Sequence, residues 1–357
     1  MKKLAYFLFG ITVFISSCNT AQNRYQEKIN KATELATQFL KAQQIPGMAI
    51  SVSHKGEIIW SEGFGFSDLK TAKKVVPNAT QFRVASISKT LTALAMSKLV
   101  DDNKLNFNGS LYDYVPDFPK KKYDFTIKQI AGHVAGVRHY NRNEFLMNKK
   151  MSIVEGLDIF KNDPLLFKPG TNYKYSTYGW NLLSVVVQNA SGEDYIDYMS
   201  NAVFSPLKMN QTSLGFSDKE MPNRTSFYVK QNGKVVIAPK VSNEFKAAGG
   251  GFVSTTEDLI LFGNQFIKPT IASKKVISEM VTPLQTSKGK KTNYGIGIGV
   301  VKLKNNVVRY AHSGGGMGAT AFLLIYPEKE IVISILTNLS GVNIRKLVGE
   351  LEGVFIK

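Results

Sequence analysis

Ser86 and Lys89 stand three residues apart at the start of an apolar helical stretch, Ser86 to Leu99. Residues i and i+3 share a helix face, so the Lys89 amine falls beside the Ser86 hydroxyl. That pairing makes a nucleophile and a base, provided burial lowers the lysine pKa enough to leave the amine neutral. The N–H groups of the first helical turn and the helix dipole favour a developing oxyanion at the same place. An S-x-x-K tetrad is a weak signal by itself. This chain holds four, beginning at Ser67, Ser86, Ser205 and Ser287, and only Ser86 opens a strong helix, behind the apolar entry Phe82-Arg83-Val84-Ala85. The bland alternative is a serine that caps a helix and a lysine in solvent.

Two further groups could complete such chemistry. Tyr175, in Lys174-Tyr-Ser-Thr-Tyr-Gly-Trp180, offers a phenol that could pass a proton between a serine and a leaving group. His312-Ser313-Gly314-Gly315 follows a β-rich run and precedes another; it offers an imidazole, a hydroxyl and backbone free to approach a ligand. Taken singly, Tyr175 reads as a packed loop residue and the glycines read as a hairpin turn. Other signals are poor. Gly295-x-Gly297-x-Gly299 lies in a strand-like run and is no phosphate fingerprint. A G-x-S-x-G elbow is absent. His133 and His139 have no acidic or cysteine partner at ligand spacing, which favours packing or hydrogen bonding over a metal.

Several elements must position these residues. Ile29, Ala32, Leu35, Ala36, Phe39 and Leu40 recur at helical spacing, and Pro46-Gly47 ends that helix. Met48 to Val52 and Ile58 to Phe64 flank a Lys55-Gly56 turn, as in a hairpin. From about 101 to 234, short helical patterns alternate with Pro, Gly and Asn breaks. Strand patterns return at 296–301, 307–311, 321–326 and 331–336, and 341–356 closes as a helix. Strands that follow one another closely pair antiparallel. The expected fold is α+β: an antiparallel sheet flanked by N- and C-terminal helices, built from about 29–100 and 235–357, with a mostly helical insertion over about 101–234.

Ser86-x-x-Lys89, Tyr175-x-Thr177 and His312-Ser313-Gly314, in that order and spacing, resemble the three motifs of the serine penicillin-recognising enzymes, which comprise class C β-lactamases, DD-peptidases and related esterases. Further similarities span most of residues 30–340. They include Phe82-Arg83-Val84-Ala85, His133-Val-Ala-Gly136, Pro169-Gly170, and Ala248-Gly249-Gly250-Gly251, which reads as opening a helix with Ser254-Thr255. The stretches Gly132 to Tyr140 and Tyr175 to Trp180 look like the LACTB-type serine β-lactamase-like branch. The resemblance implies a β-lactamase/transpeptidase-like fold and no cofactor. Ser86 would be the acylated nucleophile, with Lys89 and Tyr175 sharing acid/base work. The amides of Ser86 and Gly315 would form an oxyanion hole. Thr177, His312, Ser313 and Gly314 would meet the substrate, and Asn343 and Arg345 fall where some relatives hold a substrate carboxylate. Two departures matter. Thr177 stands where the family usually has asparagine. His312 stands where it usually has lysine, which exchanges a fixed charge for one titrating near 6.5; affinity for anionic substrates would then fall as pH rises through that value.

The N-terminus bears on location. Lys2 and Lys3, the apolar run Leu4 to Ile15, and Ser16-Ser17-Cys18 read as a secretory signal over 1–17. Ile15-Ser16-Ser17-Cys18 resembles a bacterial lipobox, so the single cysteine would carry the lipid and 18–28 would be a polar tether. The expected setting is the bacterial envelope. The 357 residues carry 45 basic and 27 acidic side chains, net +18. Such a charge suits anionic envelope polymers as well as nucleic acid, and the export signal argues against the latter. Three functions compete: a serine hydrolase cleaving a peptide, amide or ester; a non-catalytic scaffold on the same fold; and, on charge alone, a nucleic-acid binder. The expected partners of the first are a small-molecule or peptide substrate and a membrane reached through the anchor.

Overall fold

The structure, a computed structural model, describes residues 12–357 apart from Asn305, with side chains from Tyr25 onward. Most of the expected signal, and the Cys18 side chain, lie outside the described residues. The long helix α1 (Thr12–Ala42) is followed by strands β1 (Gly47–His54), β2 (Glu57–Asp68), β3 (Lys73–Lys74) and β4 (Phe82–Arg83). Helices α2 (Ile87–Asp101), α3 (Ile127–Ala131), α4 (Thr177–Ser191) and α5 (Tyr195–Met199) make up the middle. Then come β5 (Ser213–Leu214), β6 (Tyr228–Gln231), β7 (Lys234–Ile237), β8 (Phe252–Ser254), α6 (Thr256–Gly263) and α7 (Lys274–Met280). The chain finishes with β9 (Gly299–Lys302), β10 (Val308–Gly316), β11 (Ala319–Tyr326), β12 (Ile331–Thr337) and α8 (Arg345–Phe355).

Seven strands form one antiparallel sheet in the order β3-β2-β1-β12-β11-β10-β9. The first and last strands in sequence, β1 and β12, pair at its centre, from Met48 opposite Thr337 to His54 opposite Ile331. Period-2 alternation divides β12 between two cores. Ile331, Ile333 and Ile335 join Ala32, Ala36, Phe39, Leu347 and Leu351, which belong to α1 and α8. Val332 and Leu336 join Leu259, Ile260 and Phe262 of α6 and the α2 residues Leu91 and Leu94. The sheet is thus covered on both faces, which explains why β12 reads as a continuous apolar run. The fold is the α+β arrangement read from the sequence.

Several local expectations change. Residues 19–27, read as a tether, are helical and continuous with the rest of α1; no Pro or Gly interrupts them, and Gln26 Nε2 bonds Asn30 Oδ1 at 2.9 Å. The strand expected from Ile296 begins only at Gly299. Residues 247–251 are a helical stretch broken by a kink at Gly250, whose φ is 174°, and run into β8, and the following helix starts later, where Thr255 Oγ1 accepts from the Asp258 amide. His312 to Gly315 continue β10 rather than turning after it. The β6–β7 hairpin straddles the 234/235 boundary. Among the described residues no helix is long and apolar enough to cross a membrane.

Candidate active site

Ser86 sits just before α2, after a sharp reversal at Ala85, whose φ of 45° lies in the left-handed region. Ser86 is in right-handed helical geometry and makes no side-chain cap hydrogen bond, so its hydroxyl is free to act elsewhere. Lys89 is fully buried, at 0% exposure, and its Nζ lies 3.0 Å from Ser86 Oγ. The same amine donates to the Gly249 carbonyl at 2.5 Å and lies 3.3 Å from Thr177 Oγ1. No carboxylate pairs with it among the described residues. Burial therefore pushes its pKa well below the usual lysine value. A capping serine beside a solvated lysine is excluded.

Tyr175 lines the same cavity as Ser86, and burial raises the pKa of its phenol, so it holds its proton in the resting state. Lys89 Nζ lies 5.1 Å from the Tyr175 ring centre. Two imidazoles hold this segment in place. His133 Nδ1 accepts from the Ser176 amide at 3.2 Å, and His139 Nδ1 accepts from the Thr177 amide at 3.1 Å. Ser176 Oγ accepts from the Gly179 amide as the α4 cap and donates to the Arg138 carbonyl. Thr177 Oγ1 accepts from Lys89 Nζ, and Thr177 lines the cavity beside Tyr140. A hydroxyl thus reaches the lysine from the position where the family's asparagine was expected.

Strand β10 brings its glycines to the serine. A Cβ on Gly314 would meet the Val84 carbonyl oxygen at 2.2 Å, so only glycine lets the strand lie this close to the residues before Ser86. Ser86, Gly315 and Gly316 line one cavity of about 490 Å³, together with Ala85, Tyr175, Thr177, Gly249 and Gly250. Arg83, Lys246 and Arg142 also face this cavity. Arg83 appeared in the sequence only as part of the entry to Ser86, and Lys246 and Arg142 stand outside any recognisable motif.

The remaining expected substrate contacts do not converge there. His312 is 6% exposed and lies behind the cavity wall. Its Nδ1 donates to the Ser313 carbonyl at 2.7 Å, leaving Nε2 to accept from Tyr294 Oη at 2.8 Å. Burial, and then the nearby Lys89, push its pKa down to about 3. The expectation of a charged His312 meeting an anionic substrate is therefore corrected: both ring nitrogens are engaged and the ring is neutral at physiological pH. Ser313, Gly314, Asn343 and Arg345 line a second, open hollow that shares only Gly315 with the first. Alternation along β10 sends Ser313 to the opposite side from His312. Among the described residues, no group of His, Cys, Asp and Glu side chains could hold a metal ion.

Residues 32–347 match the Beta-lactamase family. The chain belongs to that family. It is 30% identical to the human (Homo sapiens) serine beta-lactamase-like protein LACTB, mitochondrial, over 84% of this chain and 74% of that one. It is 26% identical to Protein flp of Staphylococcus aureus (strain N315), over 92% of this chain and 66% of that one. Its fold is similar to the octameric penicillin-binding protein homologue from Pyrococcus abyssi, with a TM-score of 0.80 at 22% identity, covering 92% and 77% of the two chains. The D-amino acid amidase from Ochrobactrum anthropi SV3 has a TM-score of 0.79 at 19% identity, covering 92% and 98%. Membership in this family supports a serine hydrolase.

Proposed function

We propose that the protein hydrolyses a peptide, amide or ester bond through an acyl-enzyme on Ser86. One observation carries the reading: a fully buried lysine with no carboxylate partner lies 3.0 Å from the hydroxyl of a serine at a helix N-terminus. A neutral Lys89 takes the Ser86 proton, directly or through Tyr175, as Oγ attacks the substrate carbonyl. The oxyanion collects between the Ser86 and Gly315 amides at the positive end of α2. Tyr175 delivers the proton to the leaving group, and the same pair activates the water that cleaves the ester. The similarity to an amidase fold is consistent with amide and ester substrates. We place the protein in the bacterial envelope, held by a lipid on Cys18.

Intact-mass spectrometry tests the reaction. The protein is incubated with a fluorophosphonate, a penicillin panel, D-Ala-D-Ala peptides and p-nitrophenyl esters. A covalent adduct on Ser86 is expected, and none should form on Ser86→Ala. An adduct on Ser67, Ser205 or Ser287 overturns the mechanism. No adduct from any probe favours a non-catalytic scaffold.

A further inference from the structure

The cavity around Ser86 carries more positive charge than acyl transfer requires. Lys246 is 3% exposed and Arg83 is 8% exposed, yet both face the cavity. Neither forms an ion pair among the described residues, and neither does Arg142 at the rim. One buried carboxylate lies near enough to influence them, that of Glu244. It is already committed: Oε1 accepts from the Ser217 amide and hydroxyl, and Oε2 accepts from the Ser242 hydroxyl and the Asn243 amide. Arg224 draws on the same carboxylate. A single anion thus faces three cations, two of them nearly sealed from water.

Buried cations without counter-ions cost several kcal/mol each, so a fold that keeps them needs a reason. Their neutral contacts, aromatic rings included, supply only part of one. Lys246 Nζ donates to the Phe145 carbonyl at 3.2 Å and lies 5.6 Å from the Tyr140 ring centre; Arg83 donates to the Met317 carbonyl at 2.7 Å with its guanidinium 3.9 Å from the Phe227 ring centre. A glutamine could make either carbonyl tether without a charge to bury. Burial, and then Arg83, lower the Lys246 pKa to about 8, which still leaves the amine mostly charged at pH 7.

We propose that Lys246 and Arg83 form an anion-binding wall of the Ser86 cavity, and that the substrate carries a negatively charged group which completes it. This deepens the hydrolase reading and assigns substrate charge recognition to residues outside the three sequence motifs. An ammonium and a planar guanidinium at fixed positions suit an anionic oxygen cluster such as a carboxylate. Arg142, exposed at the rim, adds long-range attraction.

Two measurements at pH 7 test the wall. Turnover is compared for the p-nitrophenyl monoester of glutaric acid and the same ester with its free acid replaced by a primary carboxamide, a pair close in size that differs chiefly in charge. Wild type should favour the anion at least tenfold in kcat/KM, and Lys246→Gln and Arg83→Gln should each reduce that ratio several-fold. Equal kcat/KM for the two esters in wild type, or an unchanged ratio in both variants, overturns the proposal. Calorimetry with monomethyl glutarate needs no turnover. Binding by wild type that weakens in Lys246→Gln supports the wall even if Ser86 forms no adduct, in which case only the acyl-enzyme reading falls. No binding by wild type overturns the wall even if Ser86 acylates. Circular dichroism and thermal melting establish that each variant is folded.

Discussion

Lys89 earns its role through what surrounds it. Its amine has three oxygen neighbours and no carboxylate, and desolvation outweighs all else. Lys89→Arg should be as damaging as Lys89→Ala, since a guanidinium stays protonated and cannot accept the Ser86 proton. Ser86→Ala, Lys89→Ala and Tyr175→Phe should each cost several decades in kcat/KM for an amide. Combining them should add little, because the three act as one unit. Tyr175→Phe should retain more activity on a p-nitrophenyl ester than on an amide, since nitrophenolate leaves without a proton; equal losses on both would remove Tyr175 from the leaving-group step. His312 makes a different prediction, about stability. Its pKa is about 3 in the folded state and about 6.5 when unfolded, so the unfolded chain binds the proton first as pH falls. Stability is full above about pH 6.5 and is lost progressively down to about pH 3, by on the order of a few kcal/mol. His312→Gln should reduce the dependence of urea-unfolding free energy on pH between about 4 and 7, leaving the share that His133 and His139, whose pKa values burial also lowers, contribute. A wild-type slope identical to that of the variant would show that His312 is not held neutral.

The elements that carry the site were legible to different degrees. Helix α2, the β1–β2 hairpin and strands β11 and β12 follow directly from the apolar pattern, α2 and β1–β2 from their spacing and β11 and β12 from continuous runs buried on both faces. The segment from Ile296 to Ile298 reads as the start of a strand by the same pattern and is not one. It packs beneath α2, where Gly297 adopts a φ of 72° and its carbonyl accepts from Thr90 Oγ1 at 2.6 Å. A Cβ there would meet Trp180 at 2.7 Å, Ala93 at 2.9 Å and the Lys89 carbonyl at 3.0 Å. Gly297→Ala should therefore cost about 2–4 kcal/mol and shift the Lys89 turn, lowering kcat more than it raises KM. A fully active, equally stable variant would show that this loop does not brace the helix. Strand β10 was legible only as far as Ala311. Its glycines read as a turn, whereas they serve a close crossing with the Val84 carbonyl, a contact between residues more than two hundred positions apart that no local pattern encodes. For the same reason the two histidines that hold Tyr175 to Thr177 were read as packing or hydrogen-bonding residues without a partner being named, and the Lys246–Arg83 wall did not appear at all.

At the scale of the molecule, two separable features bear on the net charge of +18, and the first accounts for only a few of those charges. One is local, in the cavity wall. The other is the setting, tested by fractionation: wild type should partition with membranes, and Cys18→Ser should be released or remain unprocessed. Unchanged processing and partitioning of that variant would refute the lipid anchor. The pairing of β1 with β12 has a further consequence, one of time. The sheet's two central strands are joined by most of the polypeptide, so an N-terminal hairpin must wait, half its hydrogen bonds unmade, until almost the last residues are available. Closing so long a loop before any reward is slow, and an exposed strand edge invites wrong partners meanwhile. Refolding from urea should show a slow phase in which the β1–β2 amides gain exchange protection together with those of β11 and β12, not before them. If the protein is exported as an unfolded chain, that delay becomes useful: the central pairing cannot lock prematurely while the C-terminal strands are still on the far side of the membrane.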